Sequence, residues 1–136
     1  RWNVLVEGLQ VSGWATWLHT RIDRDAAFPA AVGKRLPQLP RWRGALAATW
    51  SGTPRLDVTV AARYSDRSFA TIDNSDPYAN TYQGFEAWFS LDVNARYRLT
   101  DRVDVGLGVT NALDRKYFLF HPFPQRTVLA DLKVTY

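Results

Sequence analysis

The chain has 136 residues and a formal net charge of +4, with 46% hydrophobic residues, 14% aromatics and no cysteine. The missing cysteine excludes disulfide frameworks, thiolate metal sites and cysteine nucleophiles, and no apolar run reaches the roughly 18 residues of a spanning helix. The positive balance is mostly arginine scattered singly along the chain, so it reads as solvated faces and not as a nucleic-acid patch.

The chain opens on Arg1 with no charged and apolar leader after it, so it reads as a piece of a longer protein. Residues 1–6 look like the end of one strand, entering a Glu7-Gly8 turn. A further strand is expected over Leu9–Ile22, although Trp14, Trp17 and Leu18 fall on both parities and leave its faces ambiguous. After a loop over 23–40, the period of two becomes plain. Trp42, Gly44, Leu46, Ala48 and Trp50 share one face, and Arg43, Ala45, Ala47 and Thr49 the other.

A short turn over 51–55 leads into Leu56, Val58, Val60, Ala62 and Tyr64 against Asp57, Thr59, Ala61 and Arg63. Beyond a loop over 66–87, Phe89, Leu91, Val93, Ala95, Tyr97 and Leu99 alternate with Ser90, Asp92, Asn94, Arg96 and Arg98. Thr100-Asp101 turns the chain into Val103–Thr110, whose polar positions are Asp104, Gly106, Gly108 and Thr110. A third loop over 112–126 precedes a last strand that sets Val128, Ala130, Leu132, Val134 and Tyr136 against Asp131, Lys133 and Thr135.

The loops therefore sort by length: short at one end of the strands, long at the other, as in outer-membrane barrels with short periplasmic turns and long extracellular loops. A strand of about 10 residues rising roughly 3.3 Å each, tilted near 40°, covers a lipid-facing band about 25 Å tall. Trp42 and Trp50 bracket such a band, as interfacial aromatics do. The expected fold is all-β: an antiparallel up-and-down transmembrane β-barrel segment of six strands and a stub. A soluble antiparallel sheet shares the alternation but has shorter strands and no reason to sort its loops.

Several smaller patterns carry no separate activity. Gly106 and Gly108 lack the third glycine of a nucleotide loop and read as close packing or a bend in a strand. His19 and His121 are the only histidines and lie far apart, so no metal site is expected. Asp23 and Asp25 are expected to be neutralised by Arg21 and Arg24. Asp57, Arg63, Asp92, Arg96, Arg98, Asp104, Asp131 and Lys133 are expected to form cross-strand ion pairs on a hydrated inner face. No catalytic constellation and no cofactor site stands out.

Two motifs are more specific. Asn111-Ala112-Leu113-Asp114-Arg115-Lys116-Tyr117 followed by Pro124-Gln125-Arg126-Thr127, and upstream Gly33-Lys34-Arg35-Leu36-Pro37-Gln38-Leu39-Pro40, resemble the closing motifs of TonB-dependent outer-membrane receptors. Ala112-Leu113 stands where the family has Leu-Phe, and Gln125 where it has Gly, while Asn111, Asp114, Tyr117, Arg126 and Thr127 match. Asn and Asp suit turns because their side chains bond nearby backbone and tolerate left-handed geometry, so the motif reads as strand-end architecture, with Tyr117 as an anchor at the outer interface.

The resemblance implies that residues 1–136 are the C-terminal part of a barrel of about 22 strands, with the plug domain, TonB box and N-terminal strands outside this sequence. It implies an integral protein of the bacterial outer membrane, in contact with lipid, that takes up a ferric siderophore by TonB-dependent transport and is not an enzyme. Haem, cobalamin, another metal complex or a saccharide are alternative cargoes. It further implies the TonB complex as partner through the plug, and reading of the terminal Tyr136 by the barrel-assembly machinery. Candidate cargo contacts are Arg24, Arg35, Tyr78, Tyr82, His121 and Phe123, arginine for an anionic chelate and aromatics for ring systems. Rival readings are a small eight-stranded structural or adhesive barrel, a soluble binding sheet, and an outer-membrane barrel enzyme.

Overall fold

The computed structural model of the chain describes residues 2–6, 8–76 and 80–136. Its strands are β1 (Trp2–Val6), β2 (Leu9–Trp17), β3 (Trp42–Thr53), β4 (Leu56–Ser65), β5 (Trp88–Thr100), β6 (Val103–Thr110), β7 (Phe118–Leu119), β8 (His121–Pro122) and β9 (Thr127–Val134), with one 3-10 turn at Pro29–Ala31. Seven of them form one antiparallel sheet in the order β1-β2-β3-β4-β5-β6-β9, so each strand lies beside its predecessor in a simple meander. The stub and six strands expected from the alternation are present. The two-residue hairpin β7-β8 inside the third long loop was not expected.

Register decides the faces. Trp17 pairs with Trp42 and Trp14 with Ala45, so the ambiguous second strand puts Trp17 on the apolar face and Trp14 on the polar one. From there the apolar rows continue across the sheet, for example Leu46 to Ala62, Ala62 to Leu91 and Val93 to Val109. This face carries no second layer among the described residues: Leu46 is 44% exposed, Leu107 54% and Leu132 65%. A continuous exposed apolar face marks contact with a membrane or another protein surface, and long strands with Trp42 and Trp50 at opposite ends of one row fit the membrane.

Two boundaries differ from expectation. Strand β2 ends at Trp17 and not at Ile22. The ladder's last bond is Leu18 N–H to Arg41 O at 2.9 Å. Ile22 instead closes its own loop, donating to Lys34 O at 2.9 Å and accepting from Gly33 N–H at 2.7 Å, with Gly33 at φ 84°. Strand β9 ends at Val134, two residues before Tyr136, with Thr135 N–H bonding Arg102 O at 2.9 Å.

On the polar face, Arg63 bonds Asp92 at 2.7 Å, Arg96 reaches Asp131 at 3.2 Å and Arg98 lies 3.8 Å from Asp104. Gly106 pairs with Arg96 on one side and Asp131 on the other, so the second ion pair spans an intervening strand. Its glycine is what permits this, because a Cβ there would run into the Asp131 carboxylate. Asp57 accepts from the Ser51 hydroxyl at 2.5 Å instead of pairing with a cation.

Candidate functional site

The meander brings the three long loops, 18–41, 66–87 and 111–126, to one end of the sheet, where they are tied to each other. Arg35 fastens the first to the second. Its N–H donates to Asn74 Oδ1 at 2.8 Å, its carbonyl accepts from Asn74 Nδ2 at 2.9 Å, and its guanidinium donates to Arg67 O at 3.1 Å. The Arg35 and Arg67 guanidiniums each lie 5.2 Å from the Phe69 ring, a cation–π arrangement. Gln38 N–H adds a bond to Phe69 O at 2.8 Å.

Asn74 sits in the left-handed region at φ 58°, which Asn tolerates better than other L residues. Asp76 orders the same loop by accepting from Ala70 N–H at 2.5 Å, Thr71 N–H at 2.8 Å and the Thr71 hydroxyl at 2.5 Å. Burial pushes its carboxyl upward, but those donors and the Arg67 charge outweigh it and hold the group below the usual carboxylate value. The Ser75 hydroxyl chiefly holds Asp73 low as well.

The second and third loops are joined by backbone bonds from Gln83 N–H to Phe120 O at 2.8 Å and Phe120 N–H to Gly84 O at 3.0 Å, and by a bridge between Phe85 and Leu119. Tyr82 and His121 meet edge to face at 5.2 Å, and Phe120 packs beside both. Two residues 39 positions apart in sequence, chosen separately as cargo candidates, thus share one aromatic cluster.

The Asn111 motif is a clasp within the third loop. Asn111, 5% exposed and at φ 47°, accepts from Arg115 N–H at 2.9 Å and donates to Arg115 O at 2.9 Å and Pro124 O at 3.2 Å. Asp114, at φ 54°, accepts from Arg126 N–H at 2.9 Å, while the Arg126 side chain donates to Ala112 O at 3.1 Å. Thr127 donates to Gln125 O at 3.1 Å. The strand wall holds the clasp in turn, because Asp92 accepts both Asn111 N–H at 2.8 Å and the Arg63 guanidinium.

Tyr117 is not at the outer interface. Only 2% exposed, it is stacked between Trp88 at 4.7 Å and Phe123 at 4.8 Å, and burial raises its phenol, with Arg63 opposing. Trp88 shares the parity of Ser90 and Asp92 on β5, so the stack lies on the polar side of the wall, where three aromatic faces cover one another. Asp25 also differs from expectation: Arg21 approaches Asp23 at 4.0 Å, but Asp25 accepts from Ala27 and Phe28 N–H at 3.0 and 2.8 Å and caps the turn before Pro29.

Of the other cargo candidates, Arg24 is exposed on the first loop, Phe123 has one ring face on Tyr117, and Tyr78 lies outside the described residues. Beneath the loops is a cavity of about 390 Å³ with Trp14, Arg43, Arg63, Phe85 and Trp88 among its walls. The Arg63 Nε and Trp88 Nε1 donors are buried and find no protein partner among the described residues. Aromatic walls suit a flat, ring-bearing group. Phe69, Asn74 and Trp88 were not singled out from the sequence, and Asp92 was expected only as an ion-pair partner, not as the acceptor that holds Asn111; the Asn74 and Asp76 turn chemistry was the one readable sign.

Residues 1–112 match the family described as TonB dependent receptor-like, beta-barrel. The chain is 28% identical over 86 residues to the probable TonB-dependent siderophore receptor PiuA of Acinetobacter baumannii, covering 63% of this chain and 11% of that protein. Its fold is similar to that of the ferric citrate transporter FecA, with a TM-score of 0.79 at 13% identity over 93% of this chain and 21% of that one. It is also similar to that of the Escherichia coli ferric-catecholate import receptor Fiu, with a TM-score of 0.70 at 23% identity over 96% and 19%. The chain therefore spans about a tenth to a fifth of the length of these relatives.

Proposed function

Because the chain belongs to the TonB-dependent receptor β-barrel family, we propose that it forms barrel wall and extracellular loops of an outer-membrane receptor that takes up a ferric siderophore. The observation that carries this reading is the tied crown of three long loops, with arginine and aromatic side chains above a polar wall. An anionic ferric chelate needs cationic donors that stay charged, and arginine meets that need. Ring-bearing ligand arms need aromatic faces, and the Tyr82–His121–Phe120 cluster offers them.

In this reading Arg24, Arg35, Tyr82, His121 and Phe123, with Tyr78 on the same loop as Tyr82, are the cargo contacts this segment contributes. The plug belongs to the rest of the protein, and the TonB complex acts there and not on these residues. This segment closes the barrel at its C-terminal side, and Tyr136 is read by the assembly machinery. The segment does no chemistry on its cargo; its part is to bind and enclose. PiuA, FecA and Fiu carry siderophore, ferric citrate and ferric-catecholate in their names, which supports a ferric chelate over haem, cobalamin or a saccharide.

The test is uptake of radiolabelled iron, supplied as a panel of ferric catecholates and ferric citrate, by cells whose only iron receptor is the intact protein. Accumulation that needs both the receptor and TonB is the expected result. Uptake undiminished without TonB, or none with any ferric chelate, would overturn the proposal.

A further inference from the structure

The root of the third long loop hangs on one carboxylate whose two oxygens serve different elements. The paired register of β5 and β6 runs to Val93 and Val109 at the long-loop end. Beyond it the chain is tied back to β5 by two bonds, Ala112 N–H to Leu91 O at 2.7 Å and Asn111 N–H to Asp92 Oδ1 at 2.8 Å. The first joins main chain to main chain. The second depends on a side chain, and so on whatever holds that side chain in place.

Arg63 holds it. Across β4 and β5, Arg63 stands opposite Ser90 and Asp92 opposite Ala61, so the two charged residues meet on the diagonal, a span that a long side chain covers. Arg63 Nη2 donates to Asp92 Oδ2 at 2.7 Å. The side chains are 43% and 23% exposed, so the pair is screened less than a fully exposed one. A carboxylate turns about χ2 between broad, two-fold wells, and one N–H on one oxygen opposes that turn weakly. The guanidinium on Oδ2 fixes it, and with it the direction in which Oδ1 meets Asn111. From Asn111 the constraint passes on through Arg115 and Pro124 O. Phe123 precedes Pro124 and stacks on Tyr117, and His121 packs beside Phe120 and Tyr82.

We propose that Arg63 and Asp92 are positioning residues for cargo capture: standing on the strand wall, they act through Asn111 to set where His121 and Phe123 are held, and they are not cargo contacts themselves. The proposal rests on the reading of the third loop as a cargo contact, but its structural half is measured without cargo. Arg63 also lines the cavity beneath the loops, so the competing account is direct contact between cargo and its guanidinium. The two accounts differ in whether Arg63 needs Asp92, and in whether the empty loop feels the change.

The experiment follows Arg63→Gln, Asp92→Asn, the double variant and Arg63→Lys in the full-length receptor, by hydrogen exchange in detergent without cargo and by uptake of ferric catecholates and ferric citrate into cells. Either of the first two changes is expected to speed exchange in peptides of 111–126 about tenfold, the scale of one lost charge-assisted hydrogen bond. The apparent KM for uptake should rise by a similar factor while the maximal rate stays within about twofold. The double variant should be no worse than the worse single one, because both act through one contact, and Arg63→Lys, which keeps the charge, should lie nearer the wild type than Arg63→Gln. Raised KM with exchange unchanged is direct contact by Arg63 and overturns the proposal. So do additive effects in the double variant, or a lower maximal rate at unchanged KM, the mark of fewer folded receptors. Should Asp92→Asn fail to fold, Arg63→Gln and Arg63→Lys, at the more exposed partner, decide. Absence of uptake of every chelate by the wild type refutes the cargo reading and this proposal with it; unchanged exchange refutes this proposal alone.

Discussion

Replacing Asn111 by alanine removes three side-chain hydrogen bonds from a nearly buried position, those with Arg115 N–H, Arg115 O and Pro124 O. At about 1 kcal/mol net each, this costs about 3 kcal/mol. Alanine must also hold the left-handed conformation that Asn111 adopts at φ 47°, at about 1 kcal/mol more. The loss falls on the clasp and not on the sheet, whose ladder from Val103–Val134 to Thr110–Thr127 is unaffected.

The assay is hydrogen exchange followed by mass spectrometry on the intact, detergent-solubilised receptor. In the alanine variant, peptides within 111–126 should exchange about a hundredfold to a thousandfold faster, since each 1.4 kcal/mol is a factor of ten. Peptides from β4 and β5 should be unchanged. Asn111→Gly accepts the backbone geometry and should recover about fivefold of that loss, which separates conformational cost from lost bonds. If alanine leaves exchange in 111–126 within threefold of wild type, the clasp does not hold this loop and the reasoning fails.

Other outcomes follow from the same geometry. Gly106→Ala drives a Cβ into the Asp131 carboxylate and should destabilise the barrel by about 1–2 kcal/mol in urea unfolding. Pairing it with Asp131→Ser should restore most of that, and strict additivity of the two changes would contradict the overlap. Asp76 is held below its ordinary value by Thr71 and Ala70 donors despite partial burial. A depressed carboxylate stabilises the folded loop above the unfolded value of about 3.9 and loses that contribution as pH falls through the lower, folded value. Protection of the Ala70 and Thr71 amides, corrected for intrinsic exchange, should therefore hold between about pH 7 and 5 and fall below about pH 4. Protection that instead falls above pH 6 would point to another group.

The strands were legible because a two-residue period survives any local detail: Leu56, Val58, Val60, Ala62 and Tyr64 share a face, as the alternation requires. Where the pattern was ambiguous, at Trp14 and Trp17, only pairing with Ala45 and Trp42 resolved it. The end of β2 depended on Ile22, which turns into its own loop against Gly33 and Lys34.

In the loops, local turn chemistry was readable at Asn111 and Asp114, whose left-handed backbones suit their residue types. Contacts at long sequence separation were not. Nothing in the order of residues indicates that Arg35 meets Asn74 or that Tyr82 meets His121. The same holds for Tyr117, where the amphipathic ring suited an interface but the neighbouring Trp88 and Phe123 rings buried it.

The central claim is that one face of this sheet meets lipid and the other an aqueous lumen. Single cysteines at Val93 and Asn94, neighbours on opposite faces of β5, test it; the chain itself contains no cysteine, and any in the rest of the receptor is first replaced by serine. With the receptor in intact outer membranes, Asn94→Cys should react with a membrane-impermeant maleimide. A fluorophore placed on Val93→Cys in the reconstituted protein should be quenched by lipid-borne nitroxide and not by aqueous iodide. The reverse pattern, or equal aqueous access at both positions, would contradict the account.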